Sequence, residues 1–371
     1  MNKITSFFIF LLWIGGVEAQ TNTSLFDEGI RLLEAEKLEE AKSAFSKAIE
    51  ENPKLKEAYN KRGEAKNLLE DFYGAIGDYN RALELDEAFA EAYNNRGVAK
   101  YNLGDNYSAI EDYGQAILKN PELAEAFANR GLAYYDMDEL EAAFFDFSKA
   151  IELDPNDPDK YFNRAVIRAE LQEYLSAIDD YSKSLELDSS DADVYNFRGV
   201  ALFNLGNVEG ALSDYNKAIE MDSTDALKYD NRALVHGTLE NHEAALKDYN
   251  KSIALFPDDP DTYNLRGVVN YLLEKNEAAI ADYDIALRID PENSVYYDNR
   301  ALAKIELEDY DGAITDFSIS LELFPDDAEI YLQRGLVKFE IGDNNDGCLD
   351  LKAAQELGHP EARTEIKKNC K

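Results

Sequence analysis

The residue types that most often carry enzyme chemistry are few and scattered in this sequence. The 371 residues include three histidines, His236, His242 and His359, and two cysteines, Cys348 and Cys370. His236 and His242 are six residues apart, which places them on different faces of a helix, and no cysteine is near them in sequence. Because a zinc site needs several such ligands at close spacing, we expect solvated or capping histidines and no metal site.

The remaining catalytic patterns are also missing from the sequence. It has no glycine-rich phosphate loop and no zinc-protease histidine motif. A pair of carboxylates at glycosidase spacing would carry no information, because 75 acidic residues make such pairs by accident. We therefore expect a protein that is not an enzyme and that has no cofactor.

The charge of the chain is strongly negative. Acids outnumber the 38 Lys and Arg residues, giving a net charge of −37 and a pI near 4.3. Phosphate backbones and anionic lipids would repel such a chain, so nucleic acid and membrane surfaces are excluded as partners. The hydrophobic share of 45% is enough to bury a core, which argues against disorder.

The first 19 residues have the pattern of a secretory signal peptide. Lys3 precedes an apolar run of eleven residues, Phe7 to Val17, which is too short to span a bilayer as a helix. Val17 and Ala19 then put small residues at the two places that signal peptidase reads, so cleavage before Gln20 is expected. The alternative is a buried N-terminal helix. Cleavage would leave the net charge unchanged and would leave no membrane-inserted segment. The signal peptide predicts an exported protein, periplasmic or secreted.

A short string of residues returns every 34 positions. It reads YNKRG from Tyr59, YNNRG from Tyr93 and, after six further copies, YLQRG from Tyr331. Leu25 to Gly29 extends the register back by one more copy. The spacing predicts ten repeats over residues 22–361 with no insertion between them.

Each repeat reads as two helices separated by a polar break. In the first helix an aromatic residue at position 4 lies one turn before Gly or Ala at position 8, as in Tyr93 and Gly97. In the second, Ala at position 20 precedes an aromatic at position 24, as in Ala109 and Tyr113. Small residues let two helix backbones approach while rings fill the space beside them. Prolines at position 32 end the second helix in six repeats: Pro53, Pro121, Pro155, Pro257, Pro291 and Pro325.

This pattern resembles the tetratricopeptide repeat family over residues 22–361. The resemblance implies an all-α fold, an α-α superhelix or solenoid of antiparallel helix pairs. It also implies a concave groove lined by the first helices of the repeats. One such repeat cannot bury its own apolar face, and stacking against its neighbours does so.

The sequence departs from the family pattern at two positions. Position 7, usually Leu, is Arg in nine repeats, and position 23, usually apolar, is Asp in the same nine, while the first repeat has Glu28 and Ala44 there. Residues that occur together and are lost together indicate contact, so we expect a partly buried Arg–Asp ladder. The alternative is a row of ligand-binding arginines. Representative pairs are Arg96 with Asp112, Arg164 with Asp180, and Arg266 with Asp282.

The C-terminal residues 360–371 are expected to form a capping helix. Gly358 fits the end of the last second helix, expected at 345–357, and Pro360 fits a first helical position. Cys348 and Cys370 then come alongside each other in an antiparallel hairpin. In an exported chain with an even cysteine count we expect a disulfide, with two free thiols as the alternative.

By resemblance, the groove collects positions 2, 5, 9, 12 and 13 of each repeat. Position 2 is acidic in seven repeats, and positions 5 and 12 contribute amides and aromatic rings. Amides can bond to the backbone of an extended peptide, rings give stacking area, and acids attract Lys or Arg. The alternative is that part of this ring area is buried between repeats. The candidate ligand-binding residues are Asn94, Tyr101, Tyr135, Asn196, Phe203, Asn264, Tyr271 and Phe339.

Three functions remain open at this point. The first is an exported scaffold that binds a basic protein or peptide partner through an acidic groove lined by amides and rings. The second is a carbohydrate-binding solenoid of the cell envelope, because Asn, Asp and exposed rings also suit sugars. The third, an enzyme, is the least supported by the sequence.

Overall fold

The computed structural model describes residues 24–370, and within that range it contains 21 helices and no strand. The expected signal peptide, residues 1–19, lies outside the described residues. Among the helices that are described, none combines the length and apolar character needed to cross a bilayer. The chain divides into two compact units, one up to Pro155 and one from Asn156 onward.

The N-terminal unit contains four helix pairs. Its helices are α1 (Leu25–Glu34), α2 (Leu38–Glu51), α3 (Lys56–Leu68), α4 (Phe72–Leu85), α5 (Ala90–Asn102), α6 (Asn106–Lys119), α7 (Ala124–Asp136) and α8 (Leu140–Leu153). Odd-numbered helices are the first helices of the repeats and even-numbered ones are the second. The two helices of every pair contact each other along their length.

The C-terminal unit contains six further pairs and one additional helix. Its helices are α9 (Pro158–Glu170), α10 (Tyr174–Leu187), α11 (Ala192–Asn204), α12 (Val208–Met221), α13 (Ala226–Thr238), α14 (His242–Leu255), α15 (Pro260–Leu272), α16 (Asn276–Ile289), α17 (Ser294–Glu306), α18 (Tyr310–Leu323), α19 (Ala328–Glu340), α20 (Asn344–Glu356) and α21 (Ala362–Asn369). The fold is therefore the all-α solenoid of helix pairs that the 34-residue spacing predicts.

The turn inside each repeat depends on one residue in the left-handed backbone region. In the third repeat this residue is Gly104 with a φ of +81°, while the second repeat has Glu70 with a φ of +62° at the same position. The Asp71 amide donates back to the carbonyl of Lys66, and the Asp71 side chain accepts from the amide of Gly74. The first helix is thus closed and the second capped within the same three-residue turn.

The helices of one pair approach closely because a small residue faces a ring. A methyl group added at Gly97 would lie 2.6 Å from the Cε1 atom of Tyr113, which is closer than carbon atoms pack. Tyr113 is 1% exposed, and Ala109 beside it is fully buried. The expected packing of small residues against rings is therefore confirmed in this repeat, and it recurs at Gly267 with Tyr283 in the C-terminal unit.

Within each unit, the second helices that are followed by another repeat of that unit pack between two first helices, and several successive first helices also contact each other. Such direct contacts join α1 to α3, α3 to α5 and α5 to α7 in one unit, and α9 to α11, α11 to α13 and α15 to α17 in the other. The first helices therefore line the inner side of each unit. Their positions 2, 5, 9, 12 and 13 form what we call the inner face.

The C-terminal unit ends in a helix tied to the last repeat by a disulfide. Cys348 in α20 is bonded to Cys370, which follows α21, with the two Cα atoms 5.7 Å apart. Gly358 has a φ of +90° and ends α20. Helix α21 begins at Ala362, two residues later than the sequence indicates, and packs Ala362 and Ile366 against Leu332 and Leu351.

Removal of this disulfide is expected to release α21 from the last repeat. A variant with both Cys348→Ala and Cys370→Ala should lose about 3 kcal/mol of local stability, because the bond closes a loop of roughly 20 residues. Hydrogen exchange of the α21 amides measures the loss, with the α1 amides as an internal control. Unchanged protection in α21 would show that the apolar contacts hold the helix without the bond.

Candidate functional site: the inner face and the ladders behind it

The arginine at position 7 and the aspartate at position 23 meet in every repeat that has them. Arg96 donates from Nε and from Nη2 to the two carboxylate oxygens of Asp112, at 2.8 and 2.6 Å. The Asp112 side chain is 4% exposed and that of Arg96 is 20% exposed. The nine pairs are Arg62–Asp78, Arg96–Asp112, Arg130–Asp146, Arg164–Asp180, Arg198–Asp214, Arg232–Asp248, Arg266–Asp282, Arg300–Asp316 and Arg334–Asp350.

The same arginines also join neighbouring repeats. Arg96 donates from Nη1 to the side-chain oxygen of Asn80 in the preceding repeat, at 2.6 Å, and its guanidinium lies 5.3 Å from the centre of the Tyr93 ring. The hydrogen bonds to Asp112 raise the pKa of Arg96 further above its usual range. The guanidinium of Arg96 is therefore occupied by a carboxylate, a polar side chain and a ring, as expected of a structural element rather than a free anion site.

A second cation completes the ladder in several repeats, and the sequence reasoning missed it. Lys100, at position 11, lies 2.7 Å from Asp112, and Lys304 lies 2.7 Å from Asp316. Because position 11 is four residues after the arginine, both cations lie on one face of the first helix. A Lys or Arg recurring four residues after the position-7 Arg was the signal in the sequence.

The candidate asparagines of the inner face bond to one another across repeats. The side-chain oxygen of Asn94 accepts from Asn129 at 3.0 Å, that of Asn196 from Asn231 at 3.0 Å, and that of Asn264 from Asn299 at 2.8 Å. Asn94, Asn196 and Asn264 are each less than a tenth exposed. The structure thus brings each of them together with the next repeat and leaves little of the amide facing solvent.

The candidate rings of position 12 are half-buried and some are also bonded to the next repeat. Tyr101 donates from its hydroxyl to Asp136 at 2.7 Å, and burial and this carboxylate raise the pKa of the Tyr101 phenol. Burial and Glu306 have the same effect on the pKa of Tyr271. Each of these rings stays partly exposed. The half-buried members of this row are Tyr101, Tyr135, Phe203, Tyr271 and Phe339.

Acidic side chains at position 2 are exposed on the inner face in several repeats. Glu91, Asp193, Asp261 and Glu329 are exposed, and they lie at the same position of four different first helices. Asp193 contacts Lys228, a lysine with a 1% exposed side chain that also lies within 3.1 Å of Asp222 and Asp225. The neighbourhood of Asp193 keeps a negative excess, because three carboxylates surround one ammonium group.

Two repeats have an aspartate at position 5, and each carboxyl has an oxygen that is buried without a hydrogen bond. At position 5 the seventh repeat has Asp230 and the ninth has Asp298, and in each the Oδ1 atom is buried without a hydrogen-bond donor. At position 6 of the repeat that follows Asp230 the residue is Leu265, whereas several other repeats have an asparagine there. Burial raises the pKa of both carboxyls to about 6.

No group of three or more metal-ligating side chains occurs in the part of the chain that the structure describes. The His236 ring lies beside Asp248 at 3.9 Å, in place of the position-11 lysine. His359 contacts Glu329 at 2.8 Å, next to the C-terminal helix. The histidines therefore lie in separate places, each beside a carboxylate or a turn.

Four family models for tetratricopeptide repeats match the sequence, over five ranges of residues. The matched residues are 124–157 and 192–225 for one model, 68–104 for a second, 231–294 for a third and 90–122 for a fourth. Together these matches span about half of the chain. The chain belongs to the tetratricopeptide repeat family.

Solved structures of tetratricopeptide repeat proteins are similar to the chain. PilF of Pseudomonas aeruginosa is 24% identical over 57% of this chain and 96% of its own, with a TM-score of 0.50. YrrB, described as a TPR protein with an unusual peptide-binding site, is 22% identical over 53% of this chain and 97% of its own, with a TM-score of 0.46. No curated protein matches the sequence. Tetratricopeptide repeat proteins generally mediate protein–protein interactions, and their fold is typically non-catalytic.

Proposed function

We propose that this tetratricopeptide repeat protein is an exported, non-catalytic scaffold that binds a basic segment of a partner protein on its inner face. The observation that carries the proposal is the set of exposed acids at position 2 of the first helices: Glu91 in the N-terminal unit, and Asp193, Asp261 and Glu329 in the C-terminal unit. The arginines of the ladder are neutralised by their aspartates, so they do not offset these acids. The net charge of −37 strengthens attraction to Lys and Arg at longer range.

The half-buried rings of position 12 give this face a second type of contact. A Lys or Arg that approaches a carboxylate can also lie over the open side of a ring such as Phe203 or Phe339. The candidate amides Asn94, Asn196 and Asn264 contribute less, because their oxygens already accept hydrogen bonds. Recognition then depends on acids and rings, with the asparagines mainly setting the spacing of the first helices.

Export is part of the proposal and has two supports. Residues 1–19 have the pattern of a signal peptide with a cleavage site before Gln20. The Cys348–Cys370 bond is of the kind that persists in oxidising compartments, such as the periplasm or the extracellular space. N-terminal sequencing of the mature protein tests the site of cleavage. A mature chain that retains Met1 or Lys3 would overturn this part.

The binding proposal is tested by capture of partners from the cell's own envelope and secreted fractions on the intact mature protein. The captured protein is then purified, and its affinity is measured over a range of salt concentrations. We expect the affinity to fall roughly tenfold between 50 and 300 mM salt, because exposed charge pairs are screened. A neutral glycan would bind with almost the same affinity at both concentrations, and that result would favour the carbohydrate alternative.

A pair of matched variants locates the contact. The double variant Glu91→Gln and Asp261→Asn removes two negative charges from the inner face, and the affinity should drop about tenfold or more. The double variant Glu111→Gln and Glu141→Gln removes two exposed charges from second helices, and the affinity should change little. Equal losses in both variants would show that net charge alone, without a defined face, drives the binding.

A further inference from the structure

The inner face is not uniform, because its exposed apolar residues cluster in one stretch of the C-terminal unit. Leu227 and Leu234 on α13 are 54% and 39% exposed, and Leu272 on α15 is 53% exposed. Leu227 and Leu234 are seven residues apart and share one face of α13. In the described N-terminal unit, the exposed large apolar residues, Tyr73 and Tyr107 among them, lie at other positions of the repeat.

Leu234 is exposed because the residue that should cover it is a glycine. In neighbouring repeats the residues at positions 9 and 12 pack together on the core, as Val200 does with Phe203 and Val268 with Tyr271. In the seventh repeat position 12 is Gly237, and a methyl group added there would meet nothing within 4 Å. Open space therefore lies at Gly237, one helical turn after Leu234, at the position where the sixth and eighth repeats have the half-buried rings of Phe203 and Tyr271.

The residue at the matching register position of the next repeat is also apolar. In some repeats position 13 bonds to position 12 of the preceding repeat, as Asp136 does with Tyr101 at 2.7 Å. The corresponding residues of the eighth and seventh repeats are Leu272 and Gly237, which have no polar side-chain group to form such a bond. We call the surface formed by Leu227, Leu234, Gly237 and Leu272 the apolar notch.

Exposed acids flank the apolar notch along the same row. Position 2 is Leu227 in the seventh repeat, but it is Asp193 in the sixth and Asp261 in the eighth, and both acids are exposed. The notch therefore has apolar chemistry at its centre and negative charge on either side. A ligand that fits it carries a large apolar group next to positive charge.

We propose that the apolar notch is the specificity site for a partner's extended segment, which places one large apolar side chain over Leu234 and a Lys or Arg beside it. This inference rests on the proposed function, and it specifies the kind of segment that the inner face recognises. The ring or aliphatic chain of the ligand fills the space that Gly237 leaves and covers Leu272. The neighbouring cation faces Asp193 or Asp261.

Selection from a phage-displayed library of random dodecapeptides on the mature protein tests the inference. Peptides enriched on the wild type should carry Phe, Leu, Met or Trp within two residues of Lys or Arg. The synthetic peptide of that consensus should bind the Gly237→Phe variant at least about tenfold more weakly, because the new ring occupies the notch. The substitution removes a glycine from a helix, so no loss of folding is expected.

Gly77→Phe is the matched control, because Gly77 on α4 likewise has nothing within 4 Å of the place where a Cβ atom would be added. The consensus peptide should bind this variant with the affinity of the wild type. Leu227→Glu restores the acid found in most repeats, and it should weaken binding of the apolar peptide while keeping the fold.

Each other outcome identifies which idea fails. If peptides are enriched but Gly237→Phe binds them normally, the notch is not the site and the scaffold function survives. If no basic or apolar peptide is enriched, the notch inference and the proposed function both fail. If the wild type dimerises with rising concentration in sedimentation experiments and Gly237→Phe does not, a second copy fills the notch, and the partner-segment inference is wrong.

Discussion

Replacement of Asp112 by alanine is expected to lower the free energy of unfolding by about 3–5 kcal/mol, the cost of removing one partner from a buried ion pair. Asp112 accepts two hydrogen bonds from Arg96 and contacts Lys100 at 2.7 Å. Without the carboxylate, two cations face each other in a region where the carboxylate was only 4% exposed. Urea unfolding followed by far-ultraviolet circular dichroism measures the change.

The neighbouring Glu111→Ala variant is the control for this prediction. It removes the same charge from the same helix, but Glu111 is exposed and its loss should change stability by no more than about 0.5 kcal/mol. Lys100→Met should fall between the two, because Arg96 still neutralises Asp112. If the Asp112→Ala protein is as stable as the Glu111→Ala protein, the Arg–Asp ladder does not stabilise the fold.

The spacing of the sequence predicts the helix pairs because the same residue types recur at the same positions. Gly97 and Tyr113 are sixteen residues apart, and a glycine lies opposite a ring at the same interval in six of the repeats. The Arg–Asp contact could be predicted in the same way, since the two residue types occur in the same nine repeats. Contacts that recur within each repeat can thus be predicted from a single sequence.

Contacts between repeats were less predictable, because their residue types vary along the chain. The bond from Asn129 to Asn94 spans 35 residues, one more than the period, and in other repeats Ala128 or Phe162 stands in the place of Asn94. Asn94 and its equivalents looked like free groove residues for that reason. A side chain on the inner face can point at solvent or at the next repeat, and position alone does not distinguish the two.

Departures from the period carry the information about binding. A regular inner face made of Val at position 9, a ring at position 12 and an acid at position 2 would be covered and charged throughout. Leu227, Gly237 and Leu272 break this pattern within two successive repeats, and together they expose apolar surface. Exposed apolar surface bordered by polar groups is typical of interaction sites.

The carboxyls of Asp230 and Asp298, each with a buried oxygen, are expected to make the protein more stable in mild acid than at neutral pH. An aspartate in the unfolded chain releases its proton near pH 3.8, whereas burial raises the pKa of these two in the folded chain to about 6. Between those values the folded chain holds more protons, so stability falls as the pH rises from about 4 to about 6 and stays low above that. The double variant Asp230→Asn and Asp298→Asn should therefore be more stable than the wild type at pH 7.5.

The expected gain for the two sites together is about 3–4 kcal/mol at pH 7.5, after allowance for their partial exposure, and it should vanish near pH 4. Asparagine suits these places because Asn94, Asn196 and Asn264 occupy the same position in other repeats. The double variant Asp258→Asn and Asp326→Asn removes two exposed charges and supplies the control at each pH. A gain that is the same at pH 4 and pH 7.5 would show that reduced charge repulsion, and not the buried carboxyls, stabilises the variant.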